Sequence, residues 1–162
     1  MSVSVQDSLI GTWRLVSYEA HDANGNISYP LGKNVKGFLC YTAEGFMSVQ
    51  VMKEDRPTCS SNDPHFSLME EIVAAANGYV AYAGRFTVEE TAGLVEHHIE
   101  LSLSPIWVGT DQIRSVTFRA CHLYLQGDSV KINGLSQAPH TVWEKVNAHA
   151  ATGVRDLVRQ LT

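Results

Sequence analysis

The chain has 162 residues, 44% of them hydrophobic and 18% charged, and carries a formal net charge of −5 from 12 basic and 17 acidic side chains. This length accommodates one globular domain and leaves no room for a second module, and the apolar fraction excludes disorder over most of the chain. The basic residues are scattered from Arg14 to Arg159, which argues against the concentrated footprint that nucleic-acid binding requires.

The first seven residues show no basic stretch and no apolar core, so they do not read as a secretory signal. The longest uncharged stretch, 72–84, is too short and too rich in small and polar residues to span a bilayer, which takes about 20 apolar residues. A cytoplasmic protein with no membrane partner is the expectation. Cys40, Cys59 and Cys121 are widely separated and form no Cys-x-x-Cys pair, so they read as reduced thiols or small core residues.

Most of the chain divides into short Val-, Leu-, Ile-, Phe- and Tyr-rich runs separated by Gly, Asn and Asp, the pattern of an all-β sandwich or barrel. The first run, 11–20, ends at the turn Asp22-Ala-Asn24-Gly25. Runs 37–41 and 46–52 flank Thr42-Ala-Glu44-Gly45 and predict a hairpin. A Pro- and Ser-rich loop follows over 53–64. Asp63-Pro64 then supplies a start signal, and Phe66, Met69, Ile72, Val73 and Ala76 recur at helical spacing up to Asn77-Gly78, predicting one internal helix over 64–76 with Phe66, Met69 and Ile72 packed as core or as a lid.

Strands resume at 79–89, 94–103, 112–121, 123–126, 129–132 and 140–146, with Gly127-Asp128 read as a two-residue turn. Val154, Leu157, Val158 and Leu161 predict a short amphipathic C-terminal helix over 151–161. The fold class is therefore all-β: an eight- or nine-stranded antiparallel barrel over about 9–146, one internal helix and one terminal helix, in a single domain spanning 1–162. Eight strands leave an interior able to hold one small ligand.

Gly11-Thr12-Trp13 resembles the Gly-x-Trp that opens the first strand of lipocalins. Further segments join it in order: Gly37-Phe-Leu-Cys-Tyr41-Thr42, Glu44-Gly-Phe-Met47-Ser48-Val-Gln50, Val95-Glu-His97-His98, Pro105-Ile-Trp107-Val-Gly109, Gln112-Ile-Arg114 and His140-Thr-Val-Trp143-Glu144. Together they resemble the lipocalin-like domain family of bacterial and fungal proteins over residues 11–146. The resemblance implies a small barrel around a hydrophobic small molecule, and a basic residue, Lys145 or Arg114, covering Trp13. It does not extend to fatty-acid-binding proteins, which place a helix pair directly after the first strand.

Alternate residues of a strand face opposite sides, so each run divides into two sets. The apolar set of 95–103 is Val95, His97, Ile99, Leu101 and Leu103, which predicts His97 inside the barrel and His98 outside. The same rule places Tyr82, Gly84, Phe86 and Val88 inside with Arg85 outside, and groups Gln112, Arg114, Val116 and Phe118 on one face. Such a guanidinium is costly inside unless it meets a carboxylate, for which Glu100 and Asp111 are the candidates.

Metal chelation by His97-His98 is excluded, because neighbours in a strand diverge, and no nucleotide, hydrolase-elbow or phosphate-loop motif occurs; the expectation is no cofactor. Two functions follow. One is cofactor-independent cyclisation, isomerisation or dehydration of a specialised metabolite of polyketide or terpenoid type, with His97 as general acid or base, Tyr41 and Tyr82 as donors, and Arg114 stabilising negative charge. The other is an intracellular carrier of an apolar metabolite. Trp107, Gln112, Phe86, Gln50, Met47 and Phe66 are the further candidates for ligand contact. An outward apolar seam would support a homodimer.

Overall fold

The structure, a computed structural model, describes residues 3–63 and 67–147. The C-terminal helix expected at 151–161 and the candidate residue Phe66 lie outside the described residues. Ten strands form: β1 (Gly11–His21), β2 (Ile27–Ser28), β3 (Val35–Tyr41), β4 (Phe46–Lys53), β5 (Tyr79–Glu89), β6 (Leu94–Ser102), β7 (Asp111–Arg119), β8 (His122–Gly127), β9 (Val130–Ile132) and β10 (Leu135–Lys145). Two helices, α1 (Val5–Leu9) and α2 (Met69–Asn77), and a short 3₁₀ turn at Pro105–Trp107 complete the described chain.

Strands β1, β3, β4, β5, β6, β7, β8 and β10 pair in that order, all antiparallel, and β10 pairs back onto β1 from Trp13–Lys145 to His21–Ala138. The barrel is thus closed with eight strands, which removes its edges; β2 and β9 extend it at the open end.

One end is sealed. Leu9 of α1 is fully buried, and the Trp13 indole N–H donates to the Leu9 carbonyl at 2.8 Å. The Glu90 carboxylate accepts from the Val5 and Gln6 amides at 2.7 and 3.0 Å, satisfying donors that a helix start leaves open. Lys145 stands 4.9 Å from the Trp13 ring centroid and donates to the Ser8 carbonyl at 3.1 Å. The cation covering Trp13 is therefore Lys145, and Arg114 is left for the interior. Helix α1 was not anticipated, although Ser4 accepts from the Asp7 amide at 3.0 Å and Ser4-x-x-Asp7 is a legible cap signal.

Two bulges re-phase the inward faces. In β1 the register shifts between Leu15 and Ser17, so Trp13 and Leu15 face inward before it and Tyr18 and Ala20 after it. In β6 the shift lies opposite Ala83 and Gly84; Val95, His97 and Ile99 are buried, whereas Leu101 and Leu103 are exposed. The expected inward placement of these two leucines is thereby corrected, because a bulge inserts one residue and reverses the alternation beyond it. Gly84 permits this approach: a Cβ there would lie 1.9 Å from the His98 carbonyl oxygen.

Other boundaries moved as well. Helix α2 starts at Met69, after Leu68, whose amide donates to Glu71 at 3.0 Å, and not at Pro64 as Asp63-Pro64 suggested. Its Met69, Ile72 and Val73 are exposed, so the described part of this helix is not core. Gly127-Asp128 is no hairpin turn: Gly127 is paired within β8, and the β9–β10 turn falls at Asn133-Gly134, both at positive φ.

Candidate functional site

Toward the open end the barrel holds a cavity of about 100 Å³. Apolar side chains from five strands form much of its wall: Leu39, Val49, Val51, Val80, Leu125 and Trp143. Polar groups enter from Tyr18, Tyr82, His97, Gln112, Arg114 and Thr141. Trp107, carried by the Pro105–Trp107 turn, stands edge-on to Tyr82 with ring centroids 5.8 Å apart. Tyr18, Val80, Trp107 and Ile132 also border a wider depression of about 440 Å³, bounded by Leu31, Ala76, Asn77 and Leu103, which adjoins the cavity at the mouth.

His97 is buried and bridges two phenols. Its Nε2 lies 2.7 Å from the Tyr41 hydroxyl and its Nδ1 lies 3.3 Å from the Tyr82 hydroxyl. Burial, and then the nearby Arg114 cation and His98, push its pKa down to about 3, so the ring is neutral at pH 7. A neutral imidazole offers one donor and one acceptor, so one tyrosine donates to it and the other accepts. Burial raises both tyrosines above the usual phenol range, Tyr41 strongly, and the Arg114 cation opposes the rise. Tyr82 reaches the cavity; Tyr41 sits one hydrogen bond behind it, edge-on to Phe86 with centroids 4.8 Å apart.

Arg114 of β7 lines the same cavity, paired opposite Gly127 of β8. A Cβ on Gly127 would lie 2.7 Å from Arg114 Nη1, so the glycine leaves the guanidinium its room. Arg114 donates to the Ile113 carbonyl at 2.9 Å and to Gln112 Oε1 at 3.2 Å. Neither expected carboxylate meets it: Glu100 lies 3.7 Å from Arg85 and Asp111 bonds His98 at 2.8 Å. Among the described residues around the cavity, Arg114 is the one cation and no acid accompanies it.

The structure thus gathers Tyr82, His97, Arg114, Gln112 and Trp107 on one cavity, with Tyr41 bonded behind. It leaves others elsewhere. Met47 and Phe86 are buried in the core but do not line the cavity, and Gln50 is on the outer face, hydrogen-bonded to the Tyr79 hydroxyl. Tyr18 and Thr141 line the cavity and were missed. Tyr18 was illegible because the β1 bulge turns it inward; Thr141 shares the parity of Trp143, a signal that was available. As expected, His97 and His98 face opposite ways. Outside, Glu96, His98 and Asp111 bring ligand-type atoms within 4.8 Å of one another, though both His98 nitrogens already have partners in Asp111 and Thr87.

A family model for the lipocalin-like domain matches residues 10–146, which takes in the whole barrel. The chain belongs to the lipocalin-like domain family. It is also similar to the 4'-hydroxy-3'-methoxypropiophenone carrier protein ppsC of Aspergillus oryzae, 34% identical over 107 residues that cover 62% of this chain and 96% of that protein. Family, cavity and relative together support small-molecule binding. No helix among the described residues is long and apolar enough to cross a membrane.

Proposed function

We propose that the protein binds a compact, oxygenated aromatic metabolite inside the barrel and acts as its carrier. The observation that carries this reading is Arg114, a cation without an acidic partner among the described residues, set in a cavity whose other polar groups are all uncharged side chains. A partly buried cation of this kind is stabilised by an oxygen acceptor on the ligand. Tyr82 and Gln112 flank it, and Trp107 and Trp143 supply aromatic wall. The size also supports the reading: about 100 Å³ is on the scale of an engineered cavity of roughly 150 Å³ that takes up benzene, and is small for a lipid chain. The relative's printed ligand, an aryl ketone with hydroxyl and methoxy groups, is of this class.

A second reading is cofactor-independent catalysis in specialised metabolism, favoured by the hydrogen-bonded chain from Tyr82 through His97 to Tyr41. It is the weaker one on basicity. A base works best with a pKa near the operating pH, and His97 at about 3 has little affinity for a proton at neutrality.

Titrating the protein with 4-hydroxyacetophenone and following tryptophan fluorescence tests both. We expect saturable quenching through Trp107 and Trp143, unchanged compound on recovery by mass spectrometry, and affinity lowered about 10- to 100-fold by Arg114→Met, the value of a hydrogen bond to a charged group. Tighter binding of a long-chain fatty acid, or no loss in Arg114→Met, would overturn the carrier assignment; a converted product would favour catalysis.

A further inference from the structure

We infer that the cavity takes its ligand as an anion: it selects the ionised form of an acidic phenol, enol or carboxylate and lowers that group's pKa on binding. The inference rests on the binding reading above and adds the charge state of what is bound. It follows from an inventory of what faces Arg114. From β1 comes Tyr18, from β5 Tyr82, from β6 His97, from β7 Gln112, and from β10 Thr141 and Trp143, with Gly127 of β8 beneath the guanidinium. Every one of these is neutral at pH 7, since Tyr18 and Tyr82 are held above the usual phenol range by burial and His97 is held uncharged.

The local charge in the unliganded cavity is therefore +1. Arg114 spends two of its five N–H donors on Ile113 and Gln112, both uncharged acceptors. A neutral ligand leaves that cation in place and buries it further. An anionic ligand neutralises it and accepts charge-assisted hydrogen bonds, and Tyr82 can donate to the same oxygen. Ionising the protein's own phenols would serve the same end, but burial holds Tyr18, Tyr41 and Tyr82 above the usual phenol range and the last two are also tied to His97, which leaves the ligand as the group that ionises.

The test is a pH titration of 4-hydroxyacetophenone bound to the whole protein, read by the red-shifted absorbance of its phenolate, with 4-methoxyacetophenone as the analogue that cannot ionise. An opposite charge within about 4–6 Å lowers an acid's pKa by about 1–3 units. We expect a downward shift of that size for the bound probe, retained in Arg114→Lys and lost in Arg114→Met, with the methoxy analogue binding at least about tenfold more weakly at pH 8. Binding of both compounds with an unshifted pKa would overturn this inference and leave the carrier reading standing. Failure of both compounds to bind at millimolar concentration would overturn both. Because the shift is read first on the unmodified protein, the outcome does not depend on either variant folding.

Discussion

His97 is 1% exposed and neutral because both ring nitrogens are occupied by tyrosine hydroxyls in a place where charge is expensive. Its pKa falls from 6.5 in an ordinary setting to about 3 in the fold. Between those values the unfolded chain binds a proton that the folded chain refuses, so stability rises with pH across the window and is lost as pH falls from about 6.5 toward about 3. Replacing His97 by Gln keeps a hydrogen-bonding side chain and removes the titration. Urea denaturation at pH 7.5, 5.5 and 4 should show the wild type losing more stability on acidification than His97→Gln. Parallel curves would contradict a neutral, buried imidazole. Comparing the two chains cancels the carboxylates Asp22, Glu44 and Glu71, whose pKa values are also lowered by hydrogen bonds.

At the scale of the elements, the inward faces are set as much by two bulges as by alternation. The strands, their order along the chain and the inward turn of His97, Tyr82 and Arg114 were legible, since period-two alternation is a local property of each run. Tyr18 and the outward turn of Leu101 and Leu103 were not, because a bulge depends on what the neighbouring strand allows. Arg114 is an instructive case. Parity put it near the mouth, but the missing carboxylate and the room left by Gly127 belong to strand pairing, which no single run encodes. The start of α2 differs from the Asp63-Pro64 signal: the helix begins at Met69, where the Glu71 carboxylate accepts from the Leu68 amide. Gly84 is where the β6 bulge is most exposed to test. A methyl group 1.9 Å from the His98 oxygen cannot be accommodated without moving backbone, so Gly84→Ala should destabilise by at least about 1–3 kcal/mol in chemical denaturation. It should also weaken ligand binding, since the backbone that must move is that of His98, next to His97. An Ala variant of wild-type stability would show that the bulge does not need the glycine.

The whole molecule is a barrel sealed at one end by α1, Trp13 and Lys145 and open at the other, beside α2 and Trp107. Closure of β10 onto β1 excludes backbone edges, and the sealed end leaves one described route inward, past Tyr18, Trp107 and Ile132. Within that frame the apolar fraction of the sequence divides between a packed lower half and a lined cavity above it, where one arginine stands without a counter-charge. The most direct test is a crystal structure of the protein with 4-hydroxyacetophenone. We expect the ring between Trp107 and Trp143 inside the barrel, with a ligand oxygen in hydrogen-bond distance of the Arg114 guanidinium and the Tyr82 hydroxyl. A ligand seated on the outer surface, with the barrel interior unoccupied and Arg114 making no contact to it, would contradict the assignment.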